Sequence, residues 1–126
     1  SLGPMLNMRL VRVAGLVDIS RVAELRRVDE RGDAVRIGAA VTHAEIEDGE
    51  VADPTGGWLR AAAANIAHRA VRNRGTIGGS LAHADPAEDW SIVMTGLGAH
   101  AIVARGGREE RIAMDDFITG PFTTVL

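Results

Sequence analysis

A glycine-rich break in helical periodicity constrains the possible folds of this chain more than any other feature. From Trp58 to Val71, apolar residues recur every three or four positions, which predicts a helix. Residues 72–84 carry no such period and contain three glycines. The pattern therefore predicts a helix that ends in a glycine-rich turn.

Helix starts are marked at two further places. Thr42 and Glu45 have the spacing of a capping box, which predicts a helix start after Thr42. Asp85 and Glu88 have the same spacing, and Pro86 suits the first helical position. A second helix is therefore predicted to begin at Asp85, directly after the glycine-rich turn.

The remaining signals indicate strands. Residues 35–41 alternate in a way that is typical of a half-buried strand, and residues 16–19 form a shorter strand-like run. Residues 99–114 contain two strand-like runs around a Gly-Gly pair, which predicts a β-hairpin, whereas residues 20–28 predict a short helix or turn. Because helices and strands interleave without a βαβ repeat, the predicted class is α+β.

Composition excludes several functions. The 126 residues include no cysteine, which excludes disulfides, thiol catalysis and iron–sulfur ligation by this chain. The net charge is −3 and the arginines are scattered, which argues against nucleic-acid binding. No apolar run approaches the roughly 20 residues of a membrane span, and no signal peptide is evident. We therefore expect a cytoplasmic protein without a membrane span.

The glycine-rich turn has two interpretations. Gly78 and Gly79 lack a Cβ, so their backbone N–H groups can approach an anion closely, and Thr76 and Ser80 add hydroxyl groups. The stretch matches neither the dinucleotide-binding GxGxxG pattern nor a P-loop. From spacing alone, a ligand-free connector and a phosphate site are equally compatible with it.

Charged and imidazole side chains near the turn are also open to more than one interpretation. Asp85 and Glu88 suit helix capping or contact with a ligand, and the role of Asp89 is open. The four histidines lack the spacing of a metal site, so we expect no metal, although His83 lies in the turn where it can reach a ligand. Either the helix dipole or a partner subunit accounts for three arginines before the turn: Arg69, Arg72 and Arg74.

The segment IAHRAVRNRGTIGGSLAHADPAED, residues 66–89, closely resembles the signature of the FAD-binding medium subunit of molybdenum-containing hydroxylases. That group includes bacterial carbon monoxide, aldehyde, nicotine-type and xanthine dehydrogenases. Further similar segments follow in the family's order: LVDIS at 16–20, IGAAVTHAEIE at 37–47, LGA at 97–99 and DFITGPFTT at 116–124. The resemblance covers essentially the whole chain.

The resemblance implies a fold. It indicates the second subdomain of a vanillyl-oxidase-like (PCMH-type) FAD-binding domain, with a mixed sheet flanked by helices. Residues 1–126 are then a partial domain that lacks most of the first subdomain and the C-terminal domain. Ser1 is expected to be the last residue of the first subdomain's phosphate loop.

The resemblance also implies which residues contact FAD. Five residues of the glycine-rich stretch are expected to line the pyrophosphate and ribityl region: Thr76, Ile77, Gly78, Gly79 and Ser80. Ile66 and Ala67 match positions near the adenine. His83 and Asp89 match positions near the flavin. None of these residues is expected to act as a general acid or base for substrate.

By the resemblance, the chain is a piece of an electron-transfer flavoprotein subunit. Substrate is oxidised at a molybdenum cofactor on a large subunit, and electrons pass through iron–sulfur clusters on a small subunit to FAD and then to an external acceptor. The absence of cysteine fits this division of labour. The expected partners are those two subunits, with self-association of the piece as an additional option.

Two other functions are compatible with the residues. A truncated, non-catalytic interaction module keeps the fold without holding FAD, and a standalone flavin oxidase shares the fold class. Because FAD contacts come from both subdomains, the 126-residue chain alone is expected to bind FAD weakly or not at all, and to be inactive.

Overall fold

The computed structural model describes residues 2–126 and has an α+β architecture, which confirms the predicted class. Ser1 lies outside the described residues. The α-helices are α1 (Leu2–Asn7), α2 (His43–Glu47), α3 (Trp58–Asn65), α4 (Arg69–Arg72), α5 (Ile77–His83), α6 (Asp89–Gly96) and α7 (Met114–Phe117). The strands are β1 (Val28–Arg31), β2 (Ala34–Ile37), β3 (His100–Arg105), β4 (Arg108–Ala113), β5 (Ile118–Gly120) and β6 (Thr123–Thr124). No helix within residues 2–126 has the length and hydropathy needed to cross a membrane.

The strands pair as separate antiparallel ribbons: β1 with β2, β3 with β4, and β5 with β6. This differs from the mixed sheet that the resemblance implied. The β3–β4 hairpin is confirmed, and Gly106 and Gly107 supply the positive φ angles of its turn, +55° and +77°. β2 ends at Ile37 rather than at residue 41, because the backbone of residues 39–43 turns to bond residues 75–78.

The predicted long helix is broken into two. After α3, Ile66 is extended and Ala67 has φ +42°, and α4 begins two residues later. No glycine or proline in the sequence signals this break. The carbonyl oxygens at the break accept hydrogen bonds from Arg72, and Arg72 is held by a tertiary contact with Glu47.

The predicted glycine-rich turn is largely helical, so that prediction was wrong. Thr76 caps α5 by accepting a hydrogen bond from the Gly79 N–H at 3.1 Å, and Ala84, with φ +49°, ends the helix. Glycine is a poor helix former. Here the cap and close contact with residues 39–41 offset that cost.

The next helix starts later than predicted. α6 is capped by Glu88, whose carboxylate accepts from the Ser91 N–H at 3.0 Å, and not by Asp85. Asp85 instead closes a turn: its carboxylate accepts from the Ala87 N–H at 2.9 Å, and its carbonyl accepts from the Glu88 N–H at 3.0 Å. Asp is the commoner N-cap residue, and this local turn overrides that preference.

The core lies where α2, α3, α6, α7 and the β3–β4 hairpin meet. Trp90 of α6 is fully buried, and Ile46 of α2 is 1% exposed. The Trp90 Nε1–H donates to Nδ1 of the buried His43 at 3.1 Å. This bond joins α6 to the first residue of α2, so the short helix α2 is anchored in the core.

The segment before the 3-10 turn Ala23–Arg26 is exposed. Residues 8–22 contain no helix or strand, so the strand predicted at 16–19 is not formed, whereas the short helix or turn predicted within residues 20–28 is present as the 3-10 turn. Leu10, Leu16 and Val17 are 69%, 64% and 86% exposed. A strand needs a pairing partner to be stable, and this segment pairs with no strand among residues 2–126.

The predicted capping box at the start of α2 is confirmed and gives a local test of stability. Thr42 Oγ1 accepts from the Glu45 N–H at 3.2 Å, and the Glu45 carboxylate accepts from the Thr42 N–H at 2.7 Å. We expect Thr42→Ala to lower the free energy of unfolding by about 1 kcal/mol in urea denaturation. The control, Thr95→Ala at an exposed position of α6, is expected to be neutral or slightly stabilising. An equal loss in both variants would contradict the capping role.

Candidate functional site

The five residues expected to face the FAD pyrophosphate lie together at the start of α5. Thr76 is the N-cap and the other four form the first turn. The Ile77 N–H donates to the Val41 carbonyl and the Gly78 N–H to the Ala39 carbonyl, both at 3.0 Å. These bonds fix the start of α5 to the segment that leads into α2.

Two glycines of this region are required by packing. An ideal Cβ built on Gly78 lies 2.4 Å from the Ala39 Cβ and 2.7 Å from the Ala39 carbonyl oxygen. A Cβ built on Gly75 lies 2.8 Å from the His43 ring. Such distances are too short for real carbon contacts, so close approach of the residue-39 backbone accounts for Gly78, and the buried His43 ring accounts for Gly75.

The backbone N–H groups of the α5 first turn already have acceptors within the chain. In addition to the two bonds to residues 39 and 41, the Gly79 N–H donates to Thr76 Oγ1 at 3.1 Å and the Ser80 N–H to the Thr76 carbonyl at 3.0 Å. The expected cradle of open glycine N–H groups is therefore not formed. The groups of this turn that can contact a phosphate are the exposed backbone at Gly79 and the hydroxyl groups of Thr76 and Ser80. The residues thus fit FAD through hydroxyl contacts.

His83 and Asp89, the residues expected near the flavin, lie on two helices that pack together. His83 is the last residue of α5 and Asp89 is the exposed first residue of α6. The His83 ring lies 5.2 Å from the ring of Phe122, which is 60% exposed and has φ +53°. An exposed aromatic residue in the left-handed region is uncommon. Sequence analysis did not single out Phe122, whose only local signal is the Gly-Pro pair before it.

Glu88, which directly precedes Asp89, has a carboxyl group that is only partly hydrogen-bonded. Its Oε2 is buried with no hydrogen-bond partner among residues 2–126. Burial raises the pKa of this carboxyl above its usual value, against the opposing effect of the hydrogen bonds from Ser91. The neutral form of Glu88 is therefore favoured more than in an exposed glutamate.

Ile66 and Ala67, expected near the adenine, lie in the turn between α3 and α4. Ile66 is half-buried and Ala67 is exposed. Within residues 2–126, no hydrogen bond joins this turn directly to α5. The structure therefore places the two groups of predicted ligand contacts on separate turns. Sequence analysis explained Arg72 by the helix dipole or by a partner subunit; the structure places it in the last turn of α4 and shows it bonded to both carbonyl oxygens of the turn at residues 66–67.

A shallow cleft of about 200 Å³ opens at the C-terminal end of α5. Its lining comes from the α5–α6 connection, α6 and the β5 region: Ala84, Asp85, Pro86, Ser91, Ile118, Gly120 and Pro121. Among residues 2–126, none of the predicted site residues lines the cleft, although it begins directly after His83. Pockets for drug-sized ligands usually exceed about 300 Å³, so this cleft does not enclose a dinucleotide.

Solved structures show the same fold in two oxidoreductases. The chain superimposes with a TM-score of 0.89 on quinoline 2-oxidoreductase from Pseudomonas putida 86, at 38% identity, and on carbon monoxide dehydrogenase from Hydrogenophaga pseudoflava, at 34% identity. Each alignment covers 99% of this chain and 44% of the solved chain. The fold therefore matches the FAD-binding domain of this class of dehydrogenase.

Sequence comparison defines the family. A family model described as "FAD binding domain in molybdopterin dehydrogenase" matches residues 1–126. Similar proteins include the nicotine 6-hydroxylase medium subunit of Paenarthrobacter nicotinovorans, 40% identical, and the carbon monoxide dehydrogenase medium chain of Hydrogenophaga pseudoflava, 34% identical. Each alignment covers 100% of this chain, which spans 44% of the relative's length. The chain belongs to the molybdopterin dehydrogenase FAD-binding family, which confirms the resemblance.

Proposed function

We propose that the chain is part of the FAD-binding medium subunit of a molybdenum hydroxylase, in which it takes part in electron transfer. The observation that carries this proposal is the family match over residues 1–126. Relatives named as medium subunits of nicotine 6-hydroxylase and carbon monoxide dehydrogenase support a place in such a complex. The proposed partners are a large subunit with the molybdenum cofactor and a small subunit with iron–sulfur clusters. The absence of cysteine fits a chain that does not itself ligate a cluster.

The proposed task of this chain is to bind and orient FAD. The hydroxyl groups of Thr76 and Ser80 donate to the pyrophosphate, and the turn at residues 66–67 lies beside the adenine. His83 and Asp89 lie toward the isoalloxazine. Bound FAD supplies the redox chemistry that links the clusters to an external acceptor, and no side chain here acts as an acid or base on the substrate.

We expect the 126-residue chain alone to bind FAD with a dissociation constant on the order of 1 mM. The reason is that the proposed contact residues are exposed or half-buried and lie outside the shallow cleft, and the cleft itself is too small to enclose a dinucleotide. The measurement is a titration followed by ¹⁵N–¹H NMR, in which the amides of residues 76–80 should shift. Ser80→Ala should weaken binding about tenfold by removing a hydrogen bond to a charged group.

The control for this titration is Thr95→Ala, which removes an exposed hydroxyl from α6 and should leave the affinity unchanged. Tight, stoichiometric yellow flavin on the purified chain would contradict the weak binding. A folded chain whose residues 76–80 do not respond to FAD would contradict the proposed site.

A second candidate function is a non-catalytic interaction module that keeps the fold without holding FAD. One observation favours it: the N–H groups of residues 77–80 all have acceptors within the chain. This alternative predicts a folded protein whose NMR spectrum does not change with millimolar FAD, so the same titration distinguishes the two functions.

A further inference from the structure

The turn between α3 and α4 contains a residue in a disfavoured conformation and is stabilised by an arginine side chain of α4. Ala67 has φ +42°, a conformation disfavoured for any residue with a Cβ. The carbonyl oxygens of Ile66 and Ala67 both accept hydrogen bonds from Nη1 of Arg72, at 2.9 and 3.1 Å. One guanidinium nitrogen therefore binds two successive carbonyls and stabilises the left-handed residue between helices.

Arg72 is itself fixed by a second contact. Its Nε and Nη2 donate to the two carboxylate oxygens of Glu47 at 2.8 and 3.0 Å. The two side chains are only 12% and 22% exposed. This is the bidentate geometry that gives an arginine–carboxylate pair a defined orientation. The guanidinium thus uses one edge for Glu47 and its remaining nitrogen for the turn.

The Glu47 carboxylate belongs to α2, which also holds the other predicted ligand segment. Glu47 is the last residue of this five-residue helix. At the opposite end, the N-cap Thr42 forms a β-bridge with Thr76, and the His43 N–H donates to the Gly75 carbonyl at 3.0 Å. One short helix, about 7 Å long, therefore connects the start of α5 to the turn at residues 66–67.

We propose that Glu47 and Arg72 are positioning residues of the FAD site. The pair fixes the turn at residues 66–67 relative to the first turn of α5, so that adenosine and pyrophosphate of one ligand reach both. This inference rests on the proposed function, and neither side chain contacts the ligand. Lysine cannot replace Arg72, because its single ammonium lacks the planar fork that bridges Glu47 and the carbonyls.

The test uses ADP, which carries adenosine and pyrophosphate, and FMN, which carries the flavin without adenosine. In NMR titrations of the 126-residue chain, Arg72→Lys and Glu47→Gln should weaken ADP binding about tenfold and FMN binding less than about twofold. A purely structural role would weaken both ligands equally. Glu47→Gln preserves the side-chain shape and remains informative if Arg72→Lys does not fold.

Arg69→Lys is the matched control. Arg69 donates to Glu47 and Asp48 but to neither carbonyl of the turn, and its side chain is 48% exposed. This variant should leave the affinities for both ligands within about twofold. The three-bond coupling constant between the amide proton and Hα of Ala67 depends on φ and gives a second readout. In Arg72→Lys this coupling constant should change, because Ala67 is released from the left-handed conformation.

Four outcomes would overturn the positioning role. They are an unchanged ADP affinity in both pair variants, equal weakening of ADP and FMN, equal effects of Arg69→Lys and Arg72→Lys, and an Ala67 coupling that does not change. If ADP shifts residues 76–80 in the wild type while the pair variants bind normally, the positioning role fails and the proposed function stands. If ADP shifts nothing in the wild type, both fail.

Discussion

Replacing Gly78 by alanine is expected to lower the free energy of unfolding by about 3 kcal/mol, at the upper end of the usual cost of overpacking. The new Cβ would lie 2.4 Å from the Ala39 Cβ and 2.7 Å from the Ala39 Cα, and neither atom can rotate away. To relieve the overlap, the 3.0 Å bond from the Gly78 N–H to the Ala39 carbonyl must lengthen. The gain in helix propensity, about 1 kcal/mol, is smaller than this loss. Urea denaturation measures the difference if the m-value is unchanged.

Two further variants make this prediction specific. Gly96→Ala changes the last residue of α6, where no atom lies within 4 Å of the new Cβ, and should stabilise by up to about 1 kcal/mol. Ala39→Gly combined with Gly78→Ala should recover part of the loss, because it removes one of the overlapping atoms. Wild-type stability of Gly78→Ala would show that α5 can move away from residues 39–41 without cost.

Features of the fold that depend on neighbouring residues were predictable from the sequence. The capping box at Thr42 and Glu45 needs only residues three positions apart, and the structure forms both of its hydrogen bonds. The β3–β4 hairpin needs only a Gly-Gly turn between two strand-like runs, and its pairing extends from His100–Ala113 to Arg105–Arg108. In both cases the stabilising groups are close in sequence, so the pattern contains the cause.

Features that depend on distant residues were not predictable. The break after α3 is supported by Arg72, which is in turn held by Glu47, 25 positions earlier in the chain. α5 is helical despite Gly78 and Gly79 because it bonds to residues 39 and 41. Local propensity argues against both outcomes, and tertiary contacts outweigh it.

In the candidate site, too, local features were predictable from the sequence and long-range contacts were not. The resemblance selected the segment at Thr76–Ser80 and the positions of His83 and Asp89, and the family it named is confirmed. It did not show that the Gly78 N–H is already bonded, because its acceptor, the Ala39 carbonyl, lies about 40 positions earlier. Phe122 was missed because its contact with His83 joins two segments far apart in sequence. The roles of these residues toward FAD stay predictions.

The buried contact between His43 and Trp90 makes the fold sensitive to acid. Burial, and secondarily the positive charge of Arg72, lowers the pKa of His43 from its usual 6.5 to about 4. Nδ1 accepts the Trp90 hydrogen bond at 3.1 Å, and a protonated ring has no lone pair to accept it. The unfolded chain therefore binds a proton at higher pH than the folded chain does. This stabilisation is complete above about pH 6.5 and is lost as the pH falls toward 4.

We expect this single group to remove about 3 kcal/mol from the free energy of unfolding between pH 6.5 and pH 4. His43→Asn tests the origin of the loss, because the Asn Oδ1 can accept from Trp90 but does not titrate. Urea denaturation at a series of pH values should give a flatter profile for this variant than for wild type over the range in question. His100→Asn, at an exposed position of β3, should keep the wild-type slope. Paired carboxylates such as Glu47 make all three proteins equally sensitive to acid. If the free energy of unfolding of His43→Asn falls with pH as steeply as that of wild type, the loss comes from these carboxylates and not from His43.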